Sequence, residues 1–142
     1  MKLYDPDFVA SYLEQNESIL EAQVDFLKTV ANRYRLRIIM ALGQVSGEME
    51  QRDLQKILGL SKANLSQHLT ILRTAGIVSS RSMGRITFLS LRYPTIKDAC
   101  SMVRDVIAKR ASELLPAEPT NSKESKKEQI NSRTKRTKGV VK

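Results

Sequence analysis

Apolar positions recur along this chain mostly at helical spacing, with one short stretch of strand-like alternation. Asp5-Pro6 reads as a helix start, with Asp as the cap and Pro at the first helical position, where a missing N–H is harmless. The helical pattern then runs to about Ala31. Leu20, Val24, Leu27 and Ala31 share one face, and Ile19, Gln23, Phe26 and Val30 form a neighbouring, mostly apolar stripe. Two apolar faces on one helix exceed the needs of a small monomeric core, so the pattern predicts a dimer contact.

A second helix is predicted from about Arg33 to Leu42, closed by Gly43. Gly47 breaks the chain before a third, about Glu50 to Leu58, which stops at Gly59 in the usual C-terminal glycine position. Ser61 then caps a fourth helix, about Lys62 to Ala75, ended by Gly76. Two short helices around a Gly-containing turn of this length are a helix-turn-helix signature. Ile77 to Met83 and Arg85 to Leu91 follow as two strands around a Met83-Gly84 tip. Pro94 opens a last helix, about Thr95 to Leu115, with Ile96, Cys100, Val103, Ile107 and Leu114 as its apolar stripe. Pro116 and Pro119 stop it. Residues 117–142 are polar and unpatterned, and are expected to be disordered.

In the fourth helix Leu65, Leu69 and Leu72 must face inward, which turns Lys62, Ala63, Asn64, Ser66, Gln67 and Thr70 mostly outward. The N-terminal turns also carry the positive end of the helix dipole, suited to phosphate or a base acceptor. Asn64 and Gln67 have the geometry for bidentate bonds to adenine, and Lys62 for guanine or phosphate. A solvated face in a small bundle would look the same in isolation. The short helix before it and the basic hairpin after it favour DNA contact through Ser61, Lys62, Ala63, Asn64, Ser66, Gln67 and His68. Arg81 and Arg85, either side of the hairpin tip, would add phosphate or minor-groove contacts; otherwise they are ordinary surface arginines.

Charge sharpens this only slightly. The 142 residues have a net charge of +9. Residues 1–25 hold Lys2 against Asp5, Asp7, Glu14, Glu17, Glu21 and Asp25, whereas residues 116–142 hold eight bases and three acids. A basic surplus favours a polyanion through counterion release, yet the tail alone could supply much of it. No apolar run is long enough for a membrane span, and the acidic N-terminus lacks the apolar core of a leader, so a cytoplasmic protein is expected.

Cys100 is the single cysteine and His68 the single histidine. About thirty residues apart on different helices, they form neither a zinc site nor a catalytic pair. His68 has two readings, a phosphate hydrogen bond or packing at the helix junction. Cys100 reads first as a small buried hydrophobe. The second reading is a redox- or electrophile-sensing thiol whose pKa Lys97 and Arg104 would lower if it were exposed. No glycine-rich phosphate loop, paired carboxylates or nucleophile–base arrangement is evident, so an enzyme is not expected.

The segments FLKTVANRYRLRIIMAL, DLQKILGLSKANLSQHLTILRTAGIV and GRITFLSL together resemble the ArsR/SmtB family of bacterial winged-helix regulators, over about Phe26 to Ile107. The resemblance implies a mainly α fold with a two-stranded wing, in the order α-α-α-α-β-β-α, dimeric through its first and last helices. It also implies a repressor placing two recognition helices on an inverted-repeat DNA operator. The metal-sensing patterns of the family are absent. Where the family's metalloid sensors have ELCVCDL, this chain reads Glu48-Met49-Glu50-Gln51-Arg52-Asp53-Leu54, and a soft metalloid needs thiolates. Tyr93 and Thr95 stand near the first pair of zinc ligands, and Met40 near the second-helix cysteine of the family's persulfide-type sensors. The expectation is a regulator without metal or cofactor. Its inducer is left open among a metal-free ligand, a one-cysteine switch between protomers, and none.

The domains expected are a helical extension over 1–18, the winged helix-turn-helix unit over 19–115 and a basic tail over 116–142. The competing function is a nonspecific, architectural nucleic-acid binder that relies on the tail.

Overall fold

The computed structural model describes residues 2–115, and the expected basic tail lies outside them. The chain enters through α1 (Pro6–Gln15), where the Asp5 carboxylate accepts the Asp7 N–H at 3.0 Å and Pro6 occupies the first turn. The single long helix expected to about Ala31 is broken. Asn16, at φ −107° and ψ 6°, separates α1 from α2 (Glu17–Val30). The Asn16 side-chain amide donates to the Tyr12 carbonyl at 2.7 Å, a local bond that competes with helix continuation and that apolar periodicity cannot register.

Asn32 starts α3 (Arg33–Leu42) by accepting the N–H groups of Tyr34 and Arg35 at 3.0 and 3.2 Å. The helix-turn-helix pair is α4 (Gln51–Leu58) and α5 (Lys62–Thr74). The wing comprises β2 (Val78–Met83) and β3 (Ile86–Leu91), antiparallel, with Val78 opposite Leu91 and Met83 opposite Ile86. A third strand escaped the sequence reading. β1 (Met49–Glu50) pairs antiparallel with β3, giving the order β1-β3-β2. Two residues are too short for a period-two signal, and only the pairing partner makes them a strand.

The core is apolar throughout. Ile38, Ile39 and Leu42 from α3 meet Leu54 and Leu58 from α4, then Leu65, Leu69 and Leu72 from α5, closed by Ile77, Val78, Leu89 and Ile96. The inward leucines of α5 are where the periodicity put them. Phe26 and Val30 press onto this core from α2, but Val24 and Leu27 on the other face stay about half exposed. The last helix, α6 (Thr95–Leu114), buries Ile96 and half-buries Cys100. Further along, its expected stripe is bare, with Val103, Ile107 and Leu114 exposed within the protomer. No helix among the described residues is long and apolar enough to cross a membrane.

Candidate nucleic-acid interface

The turn into α5 is built from two backbone choices. Gly59 caps α4 in the left-handed region at φ +63°, and its N–H and that of Leu60 return to the last turn of α4. Ser61 then takes an extended conformation and its Oγ accepts the Asn64 N–H at 3.2 Å. The Ser61 hydroxyl is thus first a helix cap, with its proton and one remaining lone pair left for an outside partner.

With Leu65, Leu69 and Leu72 fully buried beneath, Lys62, Ala63, Asn64 and Gln67 are exposed on the first two turns, and Ser66 is half-buried. The outward amides of Asn64 and Gln67 offer the donor–acceptor pair that matches one adenine edge, and Lys62 supplies the positive charge. His68 is turned differently. Its ring lies 5.4 Å from that of Tyr34 at 33°, and its Nδ1 is enclosed without a hydrogen-bond partner among the described residues. Of its two readings, packing at the helix junction is the one with a contact in the structure. Tyr34 was missed because it lies thirty-four residues away, on α3.

Helix and wing are tied together. Nη1 of Arg73, in the last turn of α5, donates to Ser80 Oγ on β2 at 3.2 Å. Arg85 stands exposed at the hairpin tip, with no carboxylate within ion-pair distance among the described residues. Arg81 is engaged elsewhere. Its Nη2 donates to Glu48 Oε2 at 2.6 Å, its Nε shares the same carboxylate, and its guanidinium carbon lies 4.9 Å from the Phe88 ring centroid. These hydrogen bonds hold the Glu48 carboxyl below its ordinary pKa and raise that of Arg81. In this conformation Nε and Nη2 of Arg81 are committed to Glu48, while the side chain stays 54% exposed. The sequence reading missed Glu48, which lies thirty-three residues from Arg81 with no regular spacing to link them.

Cys100 packs beside the core, and desolvation pushes its thiol pKa above the ordinary value. The lowering by Lys97 and Arg104 is expected only for an exposed thiol; here the thiol is half-buried, and burial is what sets the direction of the shift. Among the described residues, no three His, Cys, Asp or Glu side chains gather where they could hold a metal ion.

A Ser-capped polar helix behind a glycine turn, followed by a basic hairpin, is a winged helix-turn-helix module, the architecture of a class of transcription regulators. Residues 33–80 match the family described as "Bacterial regulatory protein, arsR family". Over 102 residues the chain is 32% identical to the HTH-type transcriptional regulator Rv0081 of Mycobacterium tuberculosis, covering 70% of this chain and 86% of that one. The crystal structure of Rv0081 superposes with a TM-score of 0.60 at 31% identity, covering 67% of this chain and 94% of that one. HlyU of Vibrio cholerae, named a transcriptional activator, is 34% identical over 85 residues, 60% of this chain and 77% of HlyU. Its reduced form superposes with a TM-score of 0.58 at 31% identity, covering 66% of this chain and 97% of that one. A homodimeric winged helix-turn-helix fragment, Mb0332 of Mycobacterium bovis, gives 0.61 at 19% identity, covering 83% of this chain and all of the fragment, and speaks for the fold alone. The chain belongs to the arsR family of bacterial regulatory proteins.

Proposed function

We propose that this chain acts as a cytoplasmic homodimer that binds an inverted-repeat operator and represses transcription by occupying it. The observation that carries the reading is the surface of α5. Its first two turns place Lys62, Asn64 and Gln67 outward over a fully buried leucine row, and Arg85 is exposed at the tip of the wing. Ser61, Ala63, Ser66 and His68 complete the DNA-facing set, Ser61 and His68 chiefly by fixing the helix. Two such helices related by a twofold axis would enter major grooves about 34–36 Å apart.

Dimerisation is supported by two bare apolar faces. On α1 and α2, Phe8, Tyr12, Ile19, Val24 and Leu27 are exposed; on α6, so are Met102, Val103, Val106 and Ile107. Each large apolar side chain covered by a partner stabilises association by about 1.5–3 kcal/mol before ordering costs. The winged unit over 19–115 is then the DNA-binding and dimerisation domain, with residues 1–18 as an extension that widens the apolar face. Cys100 takes a packing role.

The test is binding to an inverted repeat from upstream of its own gene, against a shuffled duplex. Asn64→Ala and Gln67→Ala each lose about 1–3 kcal/mol on the cognate sequence and little on the shuffled one. Arg85→Ala weakens both alike and reduces the salt slope by about one. Equal affinity for both duplexes in the wild type, lost on deletion of residues 117–142, would instead identify an architectural binder.

A further inference from the structure

The Arg81–Glu48 pair has a position in the sheet that the DNA-facing surface does not by itself account for. Arg81 on β2 is in register with Phe88 on β3, which is in register with Glu50 on β1. The Arg81 side chain therefore crosses the outer face of the whole three-stranded sheet, over the Phe88 ring, to end on the residue just before β1. On the opposite face, Leu89 belongs to the core. Beyond this row the hairpin has no apolar support, since Ser82, Met83, Gly84, Arg85 and Ile86 are all exposed. Arg81 thus lies at the root of the projecting tip, where a small change of angle moves Arg85 furthest. The other polar tie on β2, from Arg73 to Ser80, anchors the neighbouring position to α5.

We propose that Glu48 is a positioning residue of the DNA-binding surface. By holding Arg81 across the sheet it sets the direction of the wing tip, so that Arg85 reaches backbone phosphate while α5 lies in the groove. This rests on the DNA-binding reading above. It assigns to Arg81 a strap in place of the phosphate contact expected from sequence. The sign of the effect is its signature: removing an acid from a DNA-binding protein ordinarily tightens binding by reducing repulsion, whereas here removal loosens it.

The experiment measures operator affinity of the full chain for the wild type, Glu48→Gln, Arg81→Met, Arg85→Ala and the double variant Glu48→Gln/Arg85→Ala. Glu48→Gln and Arg81→Met each weaken binding by about three- to fivefold, the range set by an exposed, well-formed ion pair. In the Arg85→Ala background the Glu48→Gln penalty disappears, which a general loss of stability would not produce. Unchanged thermal midpoints for the single variants show that the fold is intact. The proposal is overturned if Glu48→Gln tightens binding, which would make Arg81 a phosphate ligand restrained by Glu48. It is also overturned if the penalty is nil, or persists in full without Arg85. A wild type that binds no inverted repeat defeats the DNA-binding reading itself, a result distinguishable because no variant is involved.

Discussion

Cys100 shows how one environment decides between two chemistries open to the same side chain. The sequence reads it first as a small buried hydrophobe, and the sensing alternative needs an exposed thiol beside Lys97 and Arg104. In the structure the thiol is half-buried beside the core and desolvation raises its pKa. The consequence for stability has a definite sign. The folded-state pKa lies above the unfolded one, so the stabilisation is complete below the unfolded pKa and is lost as pH rises through the folded value. The same shift lowers reactivity. Alkylation by iodoacetamide near pH 8 is expected to be slower for Cys100 in the native protein than in the denatured chain. Native alkylation at the denatured rate would restore the sensing role. His68 followed a similar course: its residue type allowed a phosphate contact, and its contact in the structure is the Tyr34 ring.

At the scale of elements, caps were the most legible features. Asp5, Ser61 and Gly59, all read from the sequence, mark helix ends in the structure because each acts on backbone groups within a few residues of itself. Asn32 does the same for α3 but escaped the sequence reading. Gly59 matters most for the site, since its left-handed backbone sets the turn that delivers Ser61 to the start of α5. A Cβ there would meet no atom within 4 Å, so the cost of substitution is conformational alone. Gly59→Ala is therefore expected to destabilise the fold by about 1–2 kcal/mol in urea denaturation, with specific DNA affinity falling in the same variant. A smaller loss would mean that the turn relaxes. The features not legible were those that leave no trace in the apolar periodicity, whether made by a local side-chain bond or by a strand that needs a distant partner. Asn16 divides α1 from α2 through a bond to Tyr12, and β1 exists only because β3 lies beside it.

For the whole molecule, the exposed faces argue for a second copy more strongly than any local motif. Of the apolar stripe expected on α6, Ile96 and Cys100 pack against the core, and beyond Cys100 the protomer leaves it uncovered. Val106→Glu combined with Ile107→Glu places two charges on that face without touching the core. Analytical ultracentrifugation is expected to show the dimer dissociation constant raised by roughly a hundredfold or more, with helix content preserved by circular dichroism. Operator affinity should fall with it, because two half-sites then bind independently. A variant that remains a dimer would remove this part of α6 from the interface.

Sequence by itself determined the helix-turn-helix, the inward leucines of α5, the outward Lys62, Asn64 and Gln67, and the hairpin with Arg85 at its tip. All of these follow from periodicity and capping, which act over a few residues and leave a regular trace in the chain. Tertiary structure alone decided which of two arginines is ion-paired, where His68 turns, how the thiol of Cys100 is solvated and that a third strand joins the wing's sheet. Arg81 and Arg85 are the same side chain, four residues apart. Only folding brings Glu48 and Phe88 to the first, because hydrogen bonds and desolvation depend on neighbours in space, which spacing along the chain does not encode.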